Sequence, residues 1–124
     1  MLIPGFYTNV SFDNTDGKIT SKLVVNTTHE VYNGHFPGRP VMPGVMQLDM
    51  IKECLELAVD KHLLFGSMTY AKFLNLIIPG ESDDLTVRIE YKTEGDKISF
   101  SASIVNEEKT FSKVKGVMTY SPEE

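Results

Sequence analysis

Three prolines and three glycines fall within the twelve residues Gly34-His35-Phe36-Pro37-Gly38-Arg39-Pro40-Val41-Met42-Pro43-Gly44-Val45. Neither a continuous helix nor a central strand tolerates that density of Pro and Gly, so the backbone takes an irregular path that carries His35 with it. Past Pro43 the pattern changes at once. Val45, Met46, Leu48, Ile51, Leu55, Ala58 and Val59 recur at intervals of three and four, and Met50, Cys54 and Leu57 widen the apolar arc. That period predicts an amphipathic helix over residues 44–62 with Pro43 at its first position. The Gly44 and Val45 amides then precede the first intrahelical hydrogen bond, at the positive end of the helix, and are candidate donors to an oxyanion. His35 is a candidate base, and Asp49, early in the helix, a candidate acid.

The rest of the chain reads as strands. Phe6 to Phe12 and Lys18 to Val25 flank the turn-rich Asp13-Asn14-Thr15-Asp16-Gly17 and suit a hairpin. After the helix come Ser67 to Ile78, closed by Pro79-Gly80, then Leu85 to Thr93, Ile98 to Asn106 and Thr110 to Tyr120. Four strands following one helix predict an α+β fold with an antiparallel sheet rather than alternating β-α units. Ile98, Phe100, Ala102 and Ile104 alternate with Ser99, Ser101 and Ser103, so one sheet face is apolar and needs a cover. The helix is the element long enough to supply it, which predicts a curved sheet wrapped around one central helix. At 124 residues and 41% hydrophobic, residues 1–124 are expected to form one domain. An open edge strand favours pairing with a second copy, so a homodimer or higher homo-oligomer is expected.

Twelve basic against seventeen acidic residues give a formal charge of −5, with no basic cluster interleaved with aromatics, which argues against nucleic acid. His29, His35 and His62 are scattered and Cys54 has no second cysteine near it, so no metal site is expected. Cys54, among the helix's apolar positions, reads as a small buried hydrophobe. No run of eighteen apolar residues spans a bilayer, and Met1-Leu2-Ile3-Pro4-Gly5 lacks the pattern of a leader, so the expected compartment is the cytoplasm. Asp49, Glu53, Glu56 and Asp60 lie on one helical stripe, with Lys52 able to pair with Glu56; by spacing alone this is also the pattern of a solvated face.

Two blocks carry a resemblance. Gly34-His35-Phe36-Pro37-Gly38-x-Pro40-x-x-Pro43-Gly44-Val45 with a carboxylate fourteen residues after the histidine, and Ala71-Lys72-Phe73 running to Ile78-Pro79-Gly80-Glu81, resemble the hotdog-fold 3-hydroxyacyl-[acyl-carrier-protein] dehydratases. The resemblance implies that His35 and Asp49 form the catalytic pair, drawn from opposite subunits of a dimer. It also implies that the Gly44 amide binds the thioester carbonyl and that the Val41 carbonyl holds the imidazole. Glu53 stands where family members usually carry glutamine, and Met50 and Ile51 where they carry small residues.

The implied reaction converts (3R)-3-hydroxyacyl thioesters, on acyl carrier protein or coenzyme A, to trans-2-enoyl thioesters in fatty-acid or related polyene synthesis, with no cofactor. Residues 29–34 resemble the polyene-type members somewhat more than the housekeeping ones. Carrier proteins are acidic, so a chain of charge −5 needs a local basic patch to meet one; Arg39 and Lys72 are candidates. The alternatives are a hotdog acyl thioesterase, which also uses a helix-borne carboxylate, and a non-catalytic acyl-binding or partner hotdog subunit, which Glu53 keeps open.

Overall fold

The computed structural model describes residues 7–26, 41–78 and 84–122. Strands β1 (Tyr7–Thr15) and β2 (Lys18–Val25) precede the helix α1 (Gly44–Val59), and β3 (Leu63–Phe73), β4 (Asp84–Glu94), β5 (Lys97–Val105) and β6 (Thr110–Tyr120) follow it. All six strands pair antiparallel into one curved sheet of order β1-β2-β4-β5-β6-β3, with α1 as its helix. Among the described residues no helix is long and apolar enough to cross a membrane.

Local chemistry sets where the elements end. Asp16 and Gly17 both have positive φ, 51° and 75°, the geometry of a two-residue hairpin turn that matches strand twist. The five-residue connection read from composition therefore shrinks to two, and β1 runs on to Thr15. The helix stops at Val59 because Asp60 takes a left-handed conformation, φ 54°, so 44–62 was too long and β3 begins at Leu63 rather than Ser67. At its far end β3 stops at Phe73, not Ile78. There the Leu74 and Asn75 amides both donate to the Phe111 carbonyl (2.8 and 3.2 Å), and the chain bends away from β6. It returns to the helix start, where the Met42 amide donates to the Ile77 carbonyl at 2.8 Å.

The predicted alternation holds, with Ile98, Phe100, Ala102 and Ile104 buried along β5. With Ile19, Leu23, Val87, Ile89, Val114 and Met118 they form the apolar face, and α1 covers it with Met46, Met50, Ile51, Cys54 and Leu55. Val45 and Leu57, read as part of the helix's apolar arc, are instead 65% and 60% exposed. The edge strand β3 is displaced by bulges between Phe65 and Ser67 and between Met68 and Tyr70. Its backbone there sits so close to β6 that a Cβ at Gly116 would lie 2.5 Å from the Ser67 carbonyl oxygen and 3.1 Å from the Met68 Cα. Both are main-chain atoms and cannot swing aside. Gly116→Ala is expected to destabilise the fold by about 1–3 kcal/mol through this overpacking, read as a lower urea midpoint; an unchanged midpoint would contradict the close approach.

Candidate active site

The helix begins without a side-chain cap. Pro43 is extended (φ −62°, ψ 149°) and is the N-cap, one position earlier in role than the first-turn place read from sequence. Its carbonyl takes the Met46 and Gln47 amides at 3.1 and 3.3 Å. The Gly44 and Val45 amides precede those bonds and have no acceptor among the described residues, so they remain the two donors at the positive end of α1. The Phe73 ring lies close over Gly44, where a Cβ would come within 2.9 Å of it and make the ring shift. The end of β3 thus closes over the helix start.

Behind this start the helix buries polar groups. Asp49 is 6% exposed, Glu53 8% and Gln47 3%. The acidic stripe read from spacing as a possible solvated face is therefore divided, with Asp49 and Glu53 inside, Glu56 half-buried and Asp60 exposed. Glu56 serves the helix exit, accepting the Leu63 amide at 2.8 Å and lying 3.9 Å from His62 Nδ1.

Tyr7, at the start of β1, donates its hydroxyl to Glu53 Oε1. Burial, then this hydrogen bond, then the charges of Glu53, Cys54 and Asp49 raise the phenol far above its ordinary range, so its proton stays in place as the donor. Tyr7, Asp49, Glu53 and Cys54 are thus one electrostatic cluster, bordered by a groove of about 440 Å³ lined by Tyr7, Asn9, Glu53 and Glu56. Cys54 is buried as expected, and its thiol is pushed up to about 11, chiefly by burial, with the Glu53 charge adding and a hydrogen bond to Ser21 opposing. A thiol held neutral in this way is a poor nucleophile.

The structure brings Gly44, Val45, Asp49 and Glu53 onto one helix, with the half-buried Val41 just ahead of it. His35, His29 and Arg39 lie outside the described residues. Sequence reasoning missed two members. Tyr7 is far from Glu53 along the chain and had no signal beyond its β-type composition. Gln47 is a buried amide in the first turn, its Oε1 without a hydrogen-bond partner and its Nε2 3.5 Å from the Met42 carbonyl; a polar residue inside an apolar helical arc was the available sign.

An antiparallel sheet around one helix, with buried carboxylates along that helix, defines a hotdog fold. The family model of the ApeI-like dehydratases, described as "ApeI dehydratase", matches residues 11–115, and the chain belongs to that family. It is 36% identical over 80 residues to a 3-hydroxyacyl-[acyl-carrier-protein] dehydratase FabZ of Ligilactobacillus salivarius, a match covering 59% of this chain and 57% of that one. The stretch thus spans little more than half of that relative. The FabZ of Levilactobacillus brevis is 28% identical over 116 residues, covering 83% and 78% of the two chains. Among solved structures, the dehydratase heterocomplex ApeI:P from Xenorhabdus doucetiae superposes with a TM-score of 0.73 at 20% identity, over 90% of this chain and 96% of that chain, a likeness of fold.

The buried thiol and phenol give the cluster a pH signature. Both are protonated when folded, and the unfolded chain releases the Cys54 proton near its ordinary value of 9.0. Stability is therefore fully present below about pH 9 and falls as pH rises from 9 toward 11, with Tyr7 adding to the loss above 10. The urea-unfolding free energy is expected to drop by ~2 kcal/mol between pH 8 and pH 10.5, and less in Cys54→Ala; equal values at the two pH settings would show that the thiol is not held neutral.

Proposed function

We propose that the chain, read over residues 1–124 as one hotdog domain, dehydrates 3-hydroxyacyl thioesters carried by acyl carrier protein to trans-2-enoyl thioesters. His35 takes the C2 proton, with one imidazole nitrogen held by the Val41 carbonyl and the other free as base. Asp49 gives a proton to the C3 hydroxyl. The C2–H and C3–O bonds break, the C2–C3 double bond forms, and water departs. The Gly44 and Val45 amides hold the thioester oxygen as negative charge develops there, an effect worth roughly 3–4 kcal/mol per donor. No metal or organic cofactor enters, because the thioester itself is the electron sink.

The observation that carries this reading is the burial of Asp49 on the helix whose first two amides stay open. An acid that must be neutral to donate belongs in a partly apolar, low-dielectric place, and Asp49 is buried on the helix that also buries Met46 and Met50. Glu53, one turn along, adds a second carboxyl to the same enclosure.

Completion of the site is proposed to need a second copy, which supplies the opposite member of the His35–Asp49 pair and the far wall of an acyl channel. What supports it is the edge strand β3, which leaves Leu64, Phe65 and Met68 exposed along an unpaired side of the sheet. The compartment proposed is the cytoplasm and the pathway fatty-acid or related polyene synthesis.

Purified protein is expected to interconvert a 3-hydroxybutyryl and a crotonyl thioester on acyl carrier protein, followed by enoyl absorbance. His35→Ala and Asp49→Asn are expected to lower kcat by at least about 100-fold, and sedimentation is expected to give a dimer. Release of free thiol without enoyl product would instead make the chain a thioesterase, and no turnover of either kind would make it a binding subunit.

A further inference from the structure

The face of the sheet turned away from α1 is strongly basic, although the chain as a whole carries −5. Residues directly opposite in neighbouring strands share a face, and the register gives a continuous row on the outer one. Arg88 of β4 opposes Ser103 of β5, Ser103 opposes Lys113 of β6, and Lys113 opposes Lys72 of β3. In the next row Ser101 opposes Lys115 and Lys115 opposes Tyr70. Among the described residues none of Lys72, Arg88, Lys113 and Lys115 makes an ion pair. The nearest acid of these rows, Glu90, lies 3.8 Å from Lys18.

Such an arrangement costs stability, since like charges opposed across a ladder repel and Lys113 directly faces Lys72. Lys72 finds local relief over the Tyr70 ring, 4.7 Å from its centroid. The small Ser101 and Ser103 between longer cationic side chains leave a hollow of about 440 Å³ on this face, lined in part by Arg88, Ser101, Ser103 and Lys113. The result is a trough lined by Lys18, Arg88 and Lys113 with Glu90 among them, together with the Tyr70 ring and the hydroxyls of Ser101 and Ser103.

We propose that this outer sheet face, centred on Arg88, Lys113, Lys115 and Lys72, docks an acidic protein surface, that of the carrier bearing the thioester. The choice of carrier rests on the dehydratase reading above; the basic face does not. A protein fits better than nucleic acid. Glu90 sits among the cations, and Asp13 and Asp84 share the face beyond Arg88, so a phosphate backbone running along it would meet those carboxylates. An acidic helix, with its charge confined to one face, matches the trough in sign and extent. Position also fits. Lys72 ends the row one residue before Phe73, whose ring covers Gly44, so a carrier held outside sits at the rim nearest the open amides.

The test titrates fluorescently labelled holo acyl carrier protein with the wild-type chain and with Arg88→Glu/Lys113→Glu and Lys72→Glu/Lys115→Glu. These exposed changes are expected to leave the urea midpoint in place or raise it, since each double variant sets a glutamate opposite a lysine at the 72–113 pair, and to weaken carrier binding by tenfold or more, with wild-type affinity falling as salt rises. In turnover, the variants are expected to raise KM for the carrier-bound crotonyl thioester by a similar factor, with kcat/KM for the crotonyl thioester of N-acetylcysteamine unchanged. Carrier binding unaltered by both charge reversals, no wild-type binding, or equal binding of a DNA duplex would each overturn the docking proposal. Failure to turn over the small thioester while the carrier still binds through this face would overturn the dehydratase reading and leave the surface standing.

Discussion

The fold depends on how one helix fills a curved sheet while keeping carboxylates inside. Taking an ionised carboxylate out of water costs several kcal/mol unless partners repay it, so α1 can hold Asp49 and Glu53 at 6% and 8% exposure only if other elements answer them. β1 answers Glu53 with the Tyr7 hydroxyl, tying one edge of the sheet to the middle of the helix. The methionines on either side, Met46 and Met50, fill the space with adaptable apolar bulk. Rotate the helix by one residue, about 100°, and the carboxylates leave the enclosure while Lys52 enters it. Helix phase, strand curvature and the chemistry of the buried acids are therefore one constraint.

That constraint explains which parts of the molecule could be read from its sequence. Strand identity followed from alternation, because the β5 pattern of Ile98, Phe100, Ala102 and Ile104 against serines admits one buried face. Element ends were harder. Asp60 ends α1 by adopting a left-handed conformation, which an aspartate tolerates but does not announce, so His62 was read as helical. β3 was carried past Phe73 because Leu74, Leu76 and Ile77 continue an apolar run. What stops it is a pair of tertiary hydrogen bonds to the Phe111 carbonyl, invisible to local pattern.

The candidate site divides the same way. The Gly- and Pro-rich approach and the following helix mark Gly44 and Val45 as candidate donors and Asp49 as a candidate acid in the sequence itself. Spacing could not say whether Asp49 and Glu53 face water or protein, since a solvated acidic stripe has the same period. The deciding fact is that the buried arc of α1 is wider than its apolar residues, because the sheet curls around both flanks. Tyr7 was out of reach for a related reason: its role comes from the far edge of the sheet arriving beside Glu53.

The outer face of the sheet carries exposed cations, the inner face is apolar against a helix that buries two carboxylates, and β3 contributes to both sides. Its alternation sends Lys72 outward into the basic row and leaves Phe73 over Gly44, so one peptide bond separates a solvent-screened cation from the mouth of a low-dielectric site. Electrostatics act differently at the two places. Outside, attraction is long-ranged, weakened by salt and felt mainly in encounter; inside, the same unit charge acts at short range and with less screening. A lysine beside a buried carboxyl would favour the ionised form, so the two kinds of charge are kept on opposite sides of the sheet. A one-layer sheet with period-two alternation keeps the exposed cations of its outer face apart from the carboxylates that α1 buries against its inner face, at the thickness of a single strand.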